Sequence, residues 1–435
     1  MSIAITRTIQ VLEEIVQVLP VGTNLALLQL MWAMANGSFL RSRGAVHGAL
    51  AESSFTPGQV RRSWSALRYG VWSITELVGR WRAIVLREGR WQPREYGGYR
   101  PLAVDITAFW RPHLQGWAGK FFYRLANRAV KGVGFGVITQ VGQVDGQRIP
   151  LLKRIIRVKR AEMSEADLKA SILRQVATYL EEGEVWVHDA GVELAEVQAA
   201  GIPRYIIRLA VNVTGRRNYL PSSKERGRPA EYGEKVRPLP RRRLERTIKA
   251  TPPDVSAQFS FQGRTIQVQG WQELVRADQK VADATQPFTI WAFSDPLYQK
   301  PMVLGTNLDA SAETTFLLYL DRWPVEQPPL VAKQMLGLHR QFVFSPVCVL
   351  RLPELALLVG NILTYLAAVL PAMPTGFWDR QPKRTSGRLR RMLARAVFPN
   401  EYPFVGRLRE KQSVTAHLPK GILAHRRKKR RQTAT

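Results

Sequence analysis

The chain has 435 residues, 45% of them hydrophobic, with 64 Lys and Arg against 34 Asp and Glu, a formal net charge of +30 and a pI near 10.9. That length and apolar content can bury more than one core, unlike the short, generic basic proteins of ribosomal type. The charge excess is the footprint of a polyanion binder, larger than a small acidic substrate needs, and the single cysteine, Cys348, excludes an intrachain disulfide and a cysteine-based zinc site.

Residues 1–95 read as helical. Ile5, Ile9, Leu12, Val16 and Leu19 share one face, residues 24–35 are almost wholly apolar, and Thr56-Pro57-Gly58-Gln59-Val60 supplies a cap and turn before a helical stretch over 61–85. Residues 39–69 have the layout of a helix-turn-helix with Arg61, Arg62 and Arg68 on its second helix, although a plain pair of bundle helices reads the same way. The first apolar stretch carries Arg7, Glu13 and Glu14, which is not the order of a secretory leader.

From Tyr99 the pattern changes to strands. Residues 101–110 form the first, 134–144 and 148–159 a hairpin around Asp145-Gly146, and 164–182 a helix capped by Ser164. A strand over 184–190, a helix over 192–200 and a strand over 204–213 follow. Asp105 and Asp189 each end a short, β-branched apolar run, so both belong at the ends of buried strands. His188 should point to the opposite side from Asp189 as a structural residue, and the six histidines lack metal-ligand spacing.

Residues 216–249 carry 12 Lys and Arg against 4 Glu. Beyond them come β-like alternation over 255–268, an apolar strand over 288–293, and a strand over 302–307. Glu326 precedes a helical pattern. Residues 355–372 approach membrane-spanning length, but Asn361 interrupts them and they read as a buried core helix. Residues 374–435 carry 17 Lys and Arg against 3 acids, and the run 425–431 reads as a disordered tail that adds nonspecific phosphate attraction.

Asp105, Asp189 and Glu326 form the candidate catalytic set. Three converging carboxylates cannot all stay charged without cations, so the expected occupants are two Mg²⁺ or Mn²⁺ ions. Tyr319, Arg322, Glu326 and Lys333 follow Y-x2-R-x3-E-x6-K. At about 100° per residue their offsets are roughly 300°, 700° and 1400°, which puts all four on one helical face. Pro324, Pro328 and Pro329 forbid a regular helix through the motif. A kinked first segment should carry Arg322 and Glu326, with the main helix starting near Pro329.

On this motif, preceded by two strand-end aspartates, the chain from about residue 99 to 344 resembles the Y-R-E-K-signature group of DDE insertion-sequence transposases. The resemblance implies an α/β, ribonuclease H-like mixed-sheet catalytic core in two parts (96–217 and 302–373). It also implies a β-rich insertion domain (218–301), a helical DNA-binding domain (1–95) and a basic C-terminal region (374–435). It implies cut-and-paste DNA transposition by metal-dependent strand cleavage and transfer, with Tyr319, Arg322 and Lys333 positioning phosphates. The partners would be double-stranded DNA, as element ends and target, and a second copy of the chain on that DNA, with no membrane, in a prokaryotic cytoplasm. Hairpin-forming members of the group use a tryptophan to receive a flipped base. Trp291 is the best positional candidate and Trp271 the second, while a core role is the plain alternative for either. A stand-alone nuclease or junction resolvase of the same fold could use the same acids without needing the Y-R-E-K pattern, and a non-catalytic DNA-binding descendant would keep the charge and lose the acids.

Overall fold

The computed structural model describes residues 2–158, 163–222, 229–243, 246–394, 396–399 and 408–409. The basic run 425–431 and residues 223–228 of the central basic block therefore lie outside the described residues. The protein is mixed α/β, built on one 13-stranded sheet with parallel and antiparallel strands among the described residues. Both faces of its centre are covered, so the strands are apolar on both sides.

Five strands surround the acids. The first, Arg100–Trp110, pairs antiparallel with Arg128–Val144, which pairs antiparallel with Gln147–Arg157. On its other side it runs parallel to Glu184–His188, which runs parallel to Tyr205–Arg208. The spatial order is thus third, second, first, fourth, fifth. The hairpin turns on Asp145 and Gly146, both with positive φ (48° and 77°), as the twist of a two-residue connection requires. Ser164 and Asp167 cap the helix Glu165–Tyr179 reciprocally, and Gly136 lets that helix approach the sheet. A Cβ there would lie 2.5 Å from Ile172 Cδ1.

The β-rich segment extends this same sheet. Met302–Thr306 pairs antiparallel with Tyr205–Arg208, then come Phe288–Ser294 and Arg264–Arg276, the last forming a hairpin with Val255–Phe261. Ile266, Val268, Trp291 and Phe293 share one apolar cluster with Val185, Val187, Phe316 and Tyr319, which ties these strands to the elements that hold the motif.

The N-terminal helices are Ile3–Val16, Thr23–Ala35, Ser38–Arg41, Val46–Glu52, Pro57–Tyr69 and Ile74–Glu88. The stretch expected as one helix over 61–85 is two, because Gly70 is extended (φ −61°, ψ 144°) and Ser73 starts a new cap by accepting from the Glu76 amide. Thr56 and Gln59 form a reciprocal cap ahead of Pro57. These helices pack on Pro346–Val369, the one helix among the described residues long and apolar enough to cross a membrane, whose most apolar window is 94% buried. Asn361 explains the polar interruption in that helix. Its side chain accepts from Trp81 Nε1 (2.8 Å) and the Leu152 amide (3.0 Å), and donates to the Pro150 carbonyl (2.7 Å). One buried amide thus joins N-terminal helix, sheet and core helix.

The motif segment departs from expectation. The helix Ala312–Leu320 ends at Asp321. A 3₁₀ turn Trp323–Glu326, one α turn Gln327–Leu330 and a π turn Val331–Met335 follow, before Gly337 closes the segment in the left-handed region. The kink around Glu326 occurs as expected. No long helix starts near Pro329, however, and the single regular face drawn through the four motif residues does not exist.

Candidate active site

The parallel register pairs Val104 with His188. Asp105 and Asp189, the next residues along, therefore stand side by side where the parallel pairing stops. Asp189 follows the end of its strand as expected, but Asp105 lies mid-strand, because Arg100–Trp110 stays paired with Arg128–Val144 beyond it. Asp105 is partly exposed at the floor of the site, where surrounding protein desolvates its carboxyl. That desolvation, with the nearby Glu326 charge, raises its pKa to about 6 against the pull of Arg322 and Lys333. Asp189 is more open. Burial would raise its pKa too, but Arg322, the Ala190 amide and the Tyr319 hydroxyl outweigh it, and the carboxylate is held below its ordinary range.

The broken motif segment brings its residues to these two acids. Tyr319, at the end of its helix, donates to Asp189 Oδ1 at 2.9 Å. Arg322 is 2% exposed and lies 2.9 Å from Glu326 Oε1 and 3.4 Å from Asp189 Oδ2. Its guanidinium also stacks on Trp323, 4.7 Å from the ring centroid. Lys333 reaches the first strand from the π turn. It donates to Thr107 Oγ1 at 2.6 Å and sits over the Phe109 ring, and burial lowers its pKa to about 8 despite the attraction of Asp105. The end of one helix and the 3₁₀ and π turns thus carry these residues, since each needs a direction toward the two aspartates rather than a shared axis.

Asp321, which sequence reasoning passed over, anchors this segment. It is fully buried, accepts from Arg94 Nε and Tyr96 Oη on one oxygen (2.7 and 2.8 Å), and its other oxygen forms an ion pair with Arg148 at 2.9 Å. An acid between two motif residues at the end of an apolar helix was the available signal. His188 matches its expected structural role, buried with Nδ1 2.8 Å from the Asp189 carbonyl oxygen. Glu313, the other acid of the motif helix, lies exposed in its first turn.

Beside Tyr319 opens a cavity of about 660 Å³ lined by Trp323, Tyr298, Phe261, Arg148, Arg208 and Arg264, among others. Tyr298 and Trp323 are 71% and 56% exposed. Trp291, the sequence candidate for a nucleobase platform, must be corrected. It is 5% exposed, and its ring packs so closely over Gly270 that a Cβ there would lie 2.2 Å from it. Strand alternation turns Trp291 and Phe293 into one apolar cluster and Ile290 and Ala292 into another, so both faces of that strand are covered. Trp271 is fully buried as well, with Nε1 on the carbonyls of Thr251 and Pro252. Both tryptophans are core residues. Arg61 and Arg62 lie on the helix Pro57–Tyr69, Arg61 exposed and Arg62 partly so, behind a short turn from Val46–Glu52.

Among the described residues, no three His, Cys, Asp or Glu side chains are already gathered around one point able to hold a metal ion. Arg322 lies between Asp189 and Glu326 and supplies positive charge there. The donor chemistry nevertheless suits a hard divalent cation. It is all carboxylate oxygen, with two acids in register and a third close enough to perturb one of them. No protein-family model matches the chain, and no curated protein matches its sequence.

Proposed function

We propose that the protein is a DNA transposase of the Y-R-E-K-signature DDE group, with a ribonuclease H-like catalytic core. The observation that carries this reading is the meeting of the motif with the two aspartates on neighbouring strands. Tyr319 bonds Asp189, Arg322 spans Asp189 and Glu326, and Lys333 stands beside Asp105 on the first strand. The sheet order third, second, first, fourth, fifth, parallel only from the first strand onward, supports the fold assignment. The charge of +30 supports nucleic acid as the partner.

Asp105, Asp189 and Glu326 are the residues that would hold Mg²⁺ or Mn²⁺ ions, which when bound would activate a water or 3′-hydroxyl and stabilise the leaving oxygen of a phosphodiester. Arg322 stands between two of these carboxylates, Asp189 and Glu326, and supplies the positive charge between them. Tyr319 orients Asp189 through its hydroxyl. Lys333, a cation pressed against Phe109, is placed to meet a phosphate oxygen close to Asp105. The aromatic and cationic cavity next to Tyr319 is the size of a nucleotide site and offers Tyr298 and Trp323 as faces for an unstacked base, the role first assigned to Trp291. A second copy of the chain would serve the other end of the mobile element.

The test is to incubate the purified protein with labelled fragments of its own element's ends, in Mg²⁺ and in EDTA, and to map nicks on denaturing gels. Metal-dependent nicks at the ends are expected. Cleavage with no preference for end sequence would point to a nuclease, and binding without any cleavage to a DNA-binding protein that lacks the reaction.

A further inference from the structure

Phe377 is 99% exposed and Trp378 beside it 67%, the most open pair of neighbouring aromatic side chains among the described residues. They are not on a loose chain. Asp379 accepts from the Thr375 amide and hydroxyl (2.9 and 3.1 Å) and from the Gln381 amide (3.1 Å), and it pairs with Arg388 at 2.9 Å. Met373 and Lys383 close the base of the loop in an antiparallel bridge. The Trp378 ring lies over Gly376, where a Cβ would stand 2.4 Å from it, and the two aromatic rings meet edge to face with centroids 5.0 Å apart. The turn therefore presents two large apolar faces to solvent in a set orientation, against the hydrophobic effect.

The surroundings indicate what covers them. Residues 374–394 carry Arg380, Lys383, Arg384, Arg388, Arg390 and Arg391 against the single acid Asp379. Arg380 and Lys383 are exposed in the same turn. Arg384 and Arg388 are paired with Asp145 and Asp379, and paired aromatics beside the exposed Arg380 and Lys383 suit a partner with flat π faces strung on an anionic backbone. A purely apolar partner would have to desolvate those cations.

We propose that Phe377 and Trp378 form a nucleobase-stacking site, separate from the candidate active site, that engages unpaired bases or a kinked base step without reading sequence. This rests on the DNA-binding reading of the protein. Full-length Phe377→Ala/Trp378→Ala and Arg380→Ala/Lys383→Ala variants would be compared with the parent by anisotropy, on a labelled mixed-sequence duplex and on one of its single strands, across a salt series. Melting temperature and sedimentation would be followed in parallel.

Loss of the aromatic pair should weaken binding about tenfold or more, the scale of base stacking on an aromatic side chain. The slope of log affinity against log salt should stay unchanged, because the aromatic pair neutralises no phosphate. The Arg380 and Lys383 variant should lower that slope instead. Loss confined to the single strand identifies unpaired bases as the ligand, and loss on both probes identifies insertion into the duplex. Unchanged affinity of the aromatic variant on both probes, at an unchanged melting temperature, overturns the proposal. So does a fall in dimer content without a fall in DNA affinity, which would make the pair an interface between copies. Failure of the parent protein to bind either probe would instead overturn the DNA reading on which the proposal rests.

Discussion

Arg322 is where the charge balance of the candidate site is decided. A guanidinium cannot shed its proton in a protein, so burying it at 2% exposure is tolerable only with carboxylates on it, and Asp189 and Glu326 are those carboxylates. Asp105 forms no ion pair within 4 Å among the described residues, and desolvation with the Glu326 charge keeps its pKa raised against Arg322 and Lys333. If these acids act together, Asp105→Ala and Asp189→Ala should each bring strand cleavage to background while end-DNA affinity stays within about twofold, because base and phosphate contacts elsewhere carry the binding. Gel assays of cleavage beside anisotropy measurements would check this, and surviving metal-dependent cleavage in either variant would dismantle the set. Glu326→Gln should behave likewise. Near-normal cleavage in that variant would leave the third acid unassigned, since Glu313 is exposed at the far end of its helix.

Among the elements, two of the buried polar side chains on the helix Pro346–Val369, Asn361 and Glu354, have opposite consequences. Asn361 has all three of its hydrogen-bond partners in other parts of the fold. Asn361→Leu should destabilise by several kcal/mol, at about 1–3 kcal/mol for each buried group left unpaired, and thermal or denaturant unfolding would show it. Glu354 is buried with Arg157 only 3.6 Å away, and burial raises its pKa from 4.5 to about 7 against the pull of Arg157 and Arg351. Between these two values the folded state holds a proton that the unfolded state releases, so stability is highest below the lower value and declines until pH passes the upper one. Glu354→Gln should therefore match the parent near the lower value and exceed it above pH 7 by up to about 3 kcal/mol. Unfolding curves at the two ends of that window decide the matter, and an equal pH slope in both proteins would refute it.

At the scale of the whole molecule, the proposed DNA binding should be governed at first encounter by charge rather than shape. Deleting 426–435, which lies outside the described residues and holds six Lys and Arg, should weaken binding to every duplex alike. The salt slope should fall by at most roughly 5, at about 0.9 for each phosphate no longer neutralised. A selective loss on element ends would give the tail a reading role. The sheet supplies rigidity of a different kind. It runs from Gln147–Arg157 through the acid-bearing strands into Phe288–Ser294 and Arg264–Arg276 without a break in hydrogen bonding, so the wall of the Tyr319 cavity and the floor of the candidate site belong to one surface.

Local chemistry made much of this legible in advance. The short, β-branched apolar runs before Asp105 and Asp189, the Asp145-Gly146 turn, the Ser164 and Thr56 caps and the prolines around Glu326 act over a few residues, and the structure follows them there, except that the first strand continues past Asp105. What depended on distant pairing was not legible. The register that stands Asp105 beside Asp189, the insertion of Arg322 between two acids, the Asp321 anchor, the approach of Lys333 to Thr107 from a π turn, and the burial of Trp291 while Tyr298 and Trp323 stay open all arise from strands and helices meeting across long stretches of chain. A residue's type and its neighbours in sequence set which secondary structure it prefers. Which face of that structure meets solvent, and which acid meets which cation, is settled only by the non-local hydrogen bonding and apolar burial that assemble the sheet.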